Sequence, residues 1–234
     1  MQTLIIPDIH EEIAKLYNIE ELYFHQADRV VLVGDLFDTF QPYDKGRVRN
    51  IVRWIKGHPD VEACWGNHDC HYAFKHPWFK CSGWQQRRQN LLDELMSEQD
   101  WRRMFHPFLQ VGKFIVSHAG FHPLKLGYLD AKVAADSVDL AFKGEFNGFW
   151  NPGESVGGKG IGGPTWLRWD SVQSPTDTFQ PLDVPQIVGH TPSWPDHCVR
   201  VKTHLESGTK SYCIDTSMRS VIWTDGSDIE IVQV

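Results

Sequence analysis

Apolar residues fall into two rhythms along the chain. Short continuous runs come first: "QTLIIP", then "RVVLVG", then "VEACW". Runs of this kind predict strands that are buried on both faces. Between them, apolar residues recur at helical spacing. Over residues 11–25 they are Ile13, Leu16, Tyr17, Ile19, Leu22 and Tyr23, behind acidic residues that suit a helix start. Over 45–56 they are Val48, Ile51, Val52 and Ile55, with Gly57 and Pro59 as stop signals. Strand, helix, strand, helix, strand in this order predicts parallel strands joined by helical crossovers.

Beyond residue 70 the pattern changes. Residues 71–108 are aromatic and basic, carry a helix over 85–96, and are expected to form a helical lobe inserted into the domain. "FLQVGKFIVSHAG" predicts a hairpin around Gly112, and a helix follows over 129–142. Residues 144–164 are glycine-rich loop. "PQIVGH", "VRVKTH", "SYCIDT", "SVIWTD" and "IEIVQV" predict short strands in a mostly antiparallel sheet. At 234 residues the chain is expected to be one α/β domain, 1–234.

Composition narrows the classes. With 41% hydrophobic and 23% charged residues the chain reads as globular. A net charge of −7 argues against bulk nucleic-acid binding. No apolar run approaches the ~20 residues of a membrane helix. "MQTLIIPDIH" lacks the basic and long apolar regions of a secretory signal, so a soluble cytoplasmic protein is expected. The five cysteines are odd in number and irregularly spaced, which argues against a disulfide framework. No C-x-x-C pair exists to suggest a closed zinc–thiolate site. Cys64 is expected in the core on a strand and Cys70 in a loop.

Chemistry collects just past the strands. The runs end in Asp8-Ile9-His10, in Asp35 and Asp38 of "GDLFD", in Asn67, His68 and Asp69 of "GNHD", in His118 of "SHAG" and in His190 of "GHTP". Taken singly, each has an ordinary reading: aspartates form turns after strands, and histidines sit satisfied in cores. Carboxyl ends of strands in α/β sheets converge on one crevice, however, and that favours a shared site. Carboxylates and imidazoles suit manganese, iron and zinc without soft thiolates. An aspartate can bridge two cations, and two cations roughly 3.5–4 Å apart can grip a phosphate together with water.

The series "PDIH", "GDLFD", "GNHD", "SHAG" and "GHTP" resembles the calcineurin-like metallophosphoesterase superfamily, most of all its phosphoprotein phosphatase and diadenosine tetraphosphatase branch. The resemblance implies a two-sheet β-sandwich flanked by helices, with two divalent metal ions: manganese first, iron or zinc as alternatives. It makes Asp8 and His10 ligands of one metal, Asp35 the bridge, and Asn67, His118 and His190 ligands of the other. His68 would stay unligated and protonate the leaving oxygen, oriented by Asp38, while metal-bound hydroxide attacks phosphorus. Many superfamily members carry a further histidine where this chain has Pro192, an absence shared with the phosphoprotein phosphatase branch. That branch also usually has an arginine at the position of Thr39. Arg168 in "GGPTWLRWD" is the first substitute for gripping phosphate. Arg87, Arg88, Arg102 and Arg103 are weaker ones, read mainly as solvated helix faces.

The implied substrate is a phosphomonoester on a protein or small molecule. A phosphodiester or pyrophosphate hydrolase of nucleotides or dinucleoside polyphosphates is the alternative, and a non-catalytic scaffold the third reading. A scaffold predicts eroded ligands, and none is eroded.

Overall fold

The computed structural model describes residues 1–39 and 41–234. Two mixed sheets face each other. The first has six strands in the order β11-β10-β1-β2-β3-β4: β1 Thr3–Ile6, β2 Arg29–Leu32, β3 Glu62–Cys64, β4 Phe105–His106, β10 Ser220–Thr224 and β11 Ile229–Gln233. The second runs β5-β6-β7-β9-β8: β5 Leu109–Val111, β6 Phe114–Val116, β7 Gln186–Val188, β8 Arg200–Thr203 and β9 Lys210–Cys213. The helices are α1 Ile13–Tyr23, α2 Lys45–Gly57, α3 Asn67–Ala73, α4 Gln86–Leu95, α5 Glu98–Met104 and α6 Ala131–Phe142. Among the described residues no helix is long and apolar enough to cross a membrane.

The continuous apolar runs are explained by burial on both faces. Leu4, Ile6, Leu32 and Ala63 point to the helical layer, where they join Leu16, Ile51 and Ile55. Their neighbours Ile5, Val31, Val33 and Cys64 point the other way and meet Val116, Ile187 and Ile214 of the second sheet. A period of two thus divides one run between two cores. Cys64 lies in the inter-sheet core as expected. Cys70 does not lie in a loop: it is buried within α3, a helix that the polar "GNHD" start disguised.

The second sheet is not mostly antiparallel. β6, β7 and β9 run parallel, and only β5 and β8 add antiparallel edges. The long connections between these strands return the chain to the same end of the sheet before each begins. β1, β2 and β3 are parallel in the first sheet as well. Six strands from two sheets therefore finish at one edge of the sandwich. Residues 71–108 contain α4 and α5, then return to the first sheet as β4, paired parallel to β3.

Candidate functional site

Residues at five of those six strand ends line one cavity of about 360 Å³: Asp8 and His10 after β1, Asp35 after β2, Asn67 and His68 after β3, His190 after β7 and Asp215 after β9. His118, after β6, is fully buried behind them. Close approach requires glycine at two of these ends. A Cβ at Gly189 would overlap Asp8 Oδ1, and one at Gly66 would overlap the backbone nitrogen and Oδ1 of Asp35. His10, Asp35, Asp38 and His190 all adopt left-handed φ between 46° and 65°. Such conformations are sparsely populated outside glycine and cluster at functional sites.

Asp35 is the centre. Its Oδ1 accepts the backbone N–H of His68 at 2.9 Å. Its Oδ2 stands 3.7 Å from His10 Nε2 and 3.3 Å from His118 Nε2. Two ligand clusters share it, Asp8–His10–Asp35 and Asp35–His118–His190. The far nitrogens of two histidines are anchored to backbone: His10 Nδ1 lies 2.7 Å from the Asp38 carbonyl and His118 Nδ1 lies 3.0 Å from that of Val33. Donation from Nδ1 leaves the Nε2 lone pair facing inward, the arrangement of metal-binding imidazoles.

Around His118 Nε2, Asn67 Oδ1 and His190 Nδ1 each lie 3.1 Å away. Electron pairs gathered so closely repel unless a proton or cation sits among them. Asp8 Oδ1 and His190 Nε2 are buried without a hydrogen-bond partner, which is costly for polar atoms. The donor set is oxygen and imidazole nitrogen throughout, so these residues fit divalent cations such as manganese, iron or zinc.

Charge follows the same logic. Burial pushes the Asp8 carboxyl up to about 8, helped by the nearby Asp215 carboxylate. Burial also opposes ionisation of Asp35, but His118, His68 and His10 outweigh it and hold that carboxyl well below its usual range. Burial pulls His118 down, yet Asp35 and Asp8 raise it to about 9.

Asp38 is a hub of a different kind. Its Oδ2 lies 3.0 Å from His68 Nδ1 and 2.8 Å from His71 Nε2. Its Oδ1 accepts from Tyr72 Oη and from Arg88 Nη1, both at 2.6 Å. Burial would raise this carboxyl, but the bonds from His68 and His71 hold it far below the ordinary range. His68 itself lines the cavity. Asp69, the last residue of "GNHD", holds the backbone instead: Oδ1 accepts from Leu36 and Phe37, and Oδ2 from Gly66.

Arg168 lies on the cavity wall, half-buried, with Nη1 3.4 Å from the His190 carbonyl. Thr39 and Pro192 line the same cavity. Arg87, Arg88, Arg102 and Arg103 do not. Arg102 is the exposed helix-face residue expected, paired with Glu98 and Asp139. Arg88 overturns that expectation. It is fully buried, with Nε 2.7 Å from Glu11 Oε1 and Nη1 2.6 Å from Asp38 Oδ1. The reason lies in register: Arg88 shares the inward face of α4 with Leu91 and Leu92. Asp215 was missed altogether, although "SYCIDT" puts it just past a strand, where the other ligand-type residues were found.

A family model described as calcineurin-like phosphoesterase matches residues 1–204. No curated protein matches the chain significantly. Among solved structures, a proposed diadenosine tetraphosphatase is 17% identical with a TM-score of 0.53, over 99% of this chain and 93% of that one. A metallophosphoesterase from Sphaerobacter thermophilus is 15% identical with a TM-score of 0.47, over 100% of this chain and 88% of that one. A protein serine/threonine phosphatase from Saccharomyces cerevisiae is also 15% identical, with a TM-score of 0.45, over 100% and 80%. At these identities the first likeness concerns the fold alone, and the other two are too distant to bear on it.

Proposed function

The chain belongs to the calcineurin-like phosphoesterase family, a family of metal-dependent hydrolases, and from that premise we propose that it is a dinuclear phosphomonoesterase. The observation that carries the reading is the sharing of Asp35, on the cavity wall, between two ligand clusters. Asp8 and His10 would hold one divalent cation, Asn67, His118 and His190 the other, with Asp35 common to both. Asp215 lines the same cavity, close enough for its charge to act on Asp8, and would add negative charge beside that first cation. Manganese is the favoured ion, with iron or zinc as alternatives compatible with these donors.

The cations, when bound, supply positive charge against the phosphoryl oxygens and make water acidic enough to attack at neutral pH. The chain's own groups do the rest. Arg168 has room to fork onto two phosphate oxygens from the cavity wall. His68 keeps Nδ1 on Asp38 and offers Nε2 to the departing oxygen, to which it gives a proton. General acid catalysis of this type contributes ~10²–10⁴-fold. Asp38 positions His68, and Tyr72, His71 and Arg88 hold Asp38 in turn.

A second reading, hydrolysis of a nucleotide phosphodiester or pyrophosphate, draws on Trp166. This half-buried indole lines the cavity beside Arg168 and offers a flat face to a base. p-Nitrophenyl phosphate and bis(p-nitrophenyl) phosphate, each with Mn2+ added or chelated, separate the readings. Mn2+-dependent turnover that prefers the monoester is expected. Preference for the diester moves the assignment to the second reading, and no turnover of either removes both.

A further inference from the structure

Cys81 has no part in the reaction described above, yet it is not an isolated thiol. Its Sγ lies 3.2 Å from His71 Nδ1 and 3.9 Å from His68 Nδ1. The three side chains offer ligand atoms within 4.8 Å of one another. His71 is fully buried, and its Nε2 lies 2.8 Å from Asp38 Oδ2. The carboxylate beside Nε2 favours a proton on that nitrogen, which would leave Nδ1 with its lone pair toward sulfur. Imidazoles that ligate metals are commonly fixed in this way, with the second nitrogen on a carboxylate. Cys81 is half-buried, and the next residue, Ser82, lines the cavity.

We propose that Cys81, His71 and His68 form a third cation site, selective for a thiophilic divalent ion of the zinc class, whose occupation inhibits the enzyme. Donor softness separates it from the Asp35-centred clusters. Those contain oxygen and nitrogen only, whereas a thiolate with two imidazoles suits zinc and leaves one tetrahedral position for water. On binding, the Cys81 S–H bond breaks, its proton passes to water, and a sulfur–metal bond forms. His68 then turns Nδ1 from Asp38 Oδ2, now 3.0 Å away, to the cation. The inhibition rests on the proton-donor role given to His68; the binding does not.

The full chain loaded with Mn2+ is titrated with Co2+, and sulfur-to-cobalt charge-transfer absorption is followed in the near ultraviolet. The band is expected in the parent and in Cys198→Ser, which removes the exposed thiol. It is expected to vanish in Cys81→Ser. Absence of the band in the parent, or its survival in Cys81→Ser, overturns the site. Serine keeps an acceptor for Asn67 Nδ2, which donates to the sulfur at 3.5 Å, so Cys81→Ser turns over p-nitrophenyl phosphate at the parent rate. Its half-inhibiting Zn2+ concentration rises roughly 10-fold or more. Equal Zn2+ sensitivity of parent and variant overturns the inhibition. Loss of Mn2+-dependent turnover in every protein would strike the phosphoesterase reading instead, and the absorption band would still decide the cation site.

Discussion

Replacing Arg88 by methionine removes a guanidinium that two buried carboxylates share. Glu11 Oε1 stands 2.7 Å from Nε and Asp38 Oδ1 stands 2.6 Å from Nη1, and all three side chains are almost fully excluded from water. Methionine fills similar space but carries no charge. Asp38 keeps His68, His71 and Tyr72. Glu11 loses the cation that offsets its burial. Breaking a buried pair from one side costs about 3–5 kcal/mol, a large share of the ~5–15 kcal/mol that typically holds a domain together. At this chain length that corresponds to a fall in melting temperature of roughly 6–20 °C.

The defect has a pH signature. Burial already pushes the Glu11 carboxyl above its ordinary value, and Arg88 pulls it partly back. Without Arg88 it rises further. A carboxyl raised in the folded state costs stability above its folded pKa, and that cost is relieved as the pH falls through it. Thermal unfolding followed by circular dichroism should therefore show a larger gap between variant and parent at about pH 8 than at about pH 5.5. Adding Glu11→Gln to Arg88→Met should recover part of the loss. Melting within ~2 °C of the parent at both pH values would refute the reasoning.

His68→Ala should lower turnover ~10²-fold or more while metal content, read by elemental analysis, stays at the parent level. Asp35→Ala should lose both, and equal metal loss in the two variants would contradict their separate roles. Arg168→Ala removes charged hydrogen bonds worth about 1.5–3 kcal/mol, so kcat/KM should fall roughly 10- to 150-fold with metal content unchanged. An unaltered kcat/KM would remove Arg168 from the phosphate. Burial and Asp215 hold the Asp8 carboxyl at about 8, and carboxylates hold His118 at about 9 against burial. Cations must displace those protons, so Mn2+ affinity of the chelated protein should rise between about pH 6 and pH 9, with proton release seen in titration calorimetry. A flat profile would contradict it.

The strand-end chemistry was legible because it is local. A continuous apolar run ending in a ligand-type residue needs no knowledge of the fold, and Asp8, Asp35, Asn67 and His190 all reach the cavity so announced. Asp215 carries the same signal within "SYCIDT", but it belongs to none of the five motifs on which the family resemblance rests. Parallel pairing of β6, β7 and β9 depends on where long connections return, and alternation along a short strand does not encode that. α3 escaped because its first turn is spent on Asn67, His68 and Asp69 rather than on an apolar stripe. Arg88 looked solvated because its counter-charges, Glu11 and Asp38, come from distant loops. Only the inward register of Leu91 and Leu92 hinted at its burial.

Crystals of the Mn2+-loaded protein, measured for anomalous scattering at the manganese edge, test the central claim most directly. The account predicts two peaks on either side of Asp35, one beside Asp8 and His10 and one beside Asn67, His118 and His190. No peak in the cavity, or a single peak that does not touch Asp35, would contradict it.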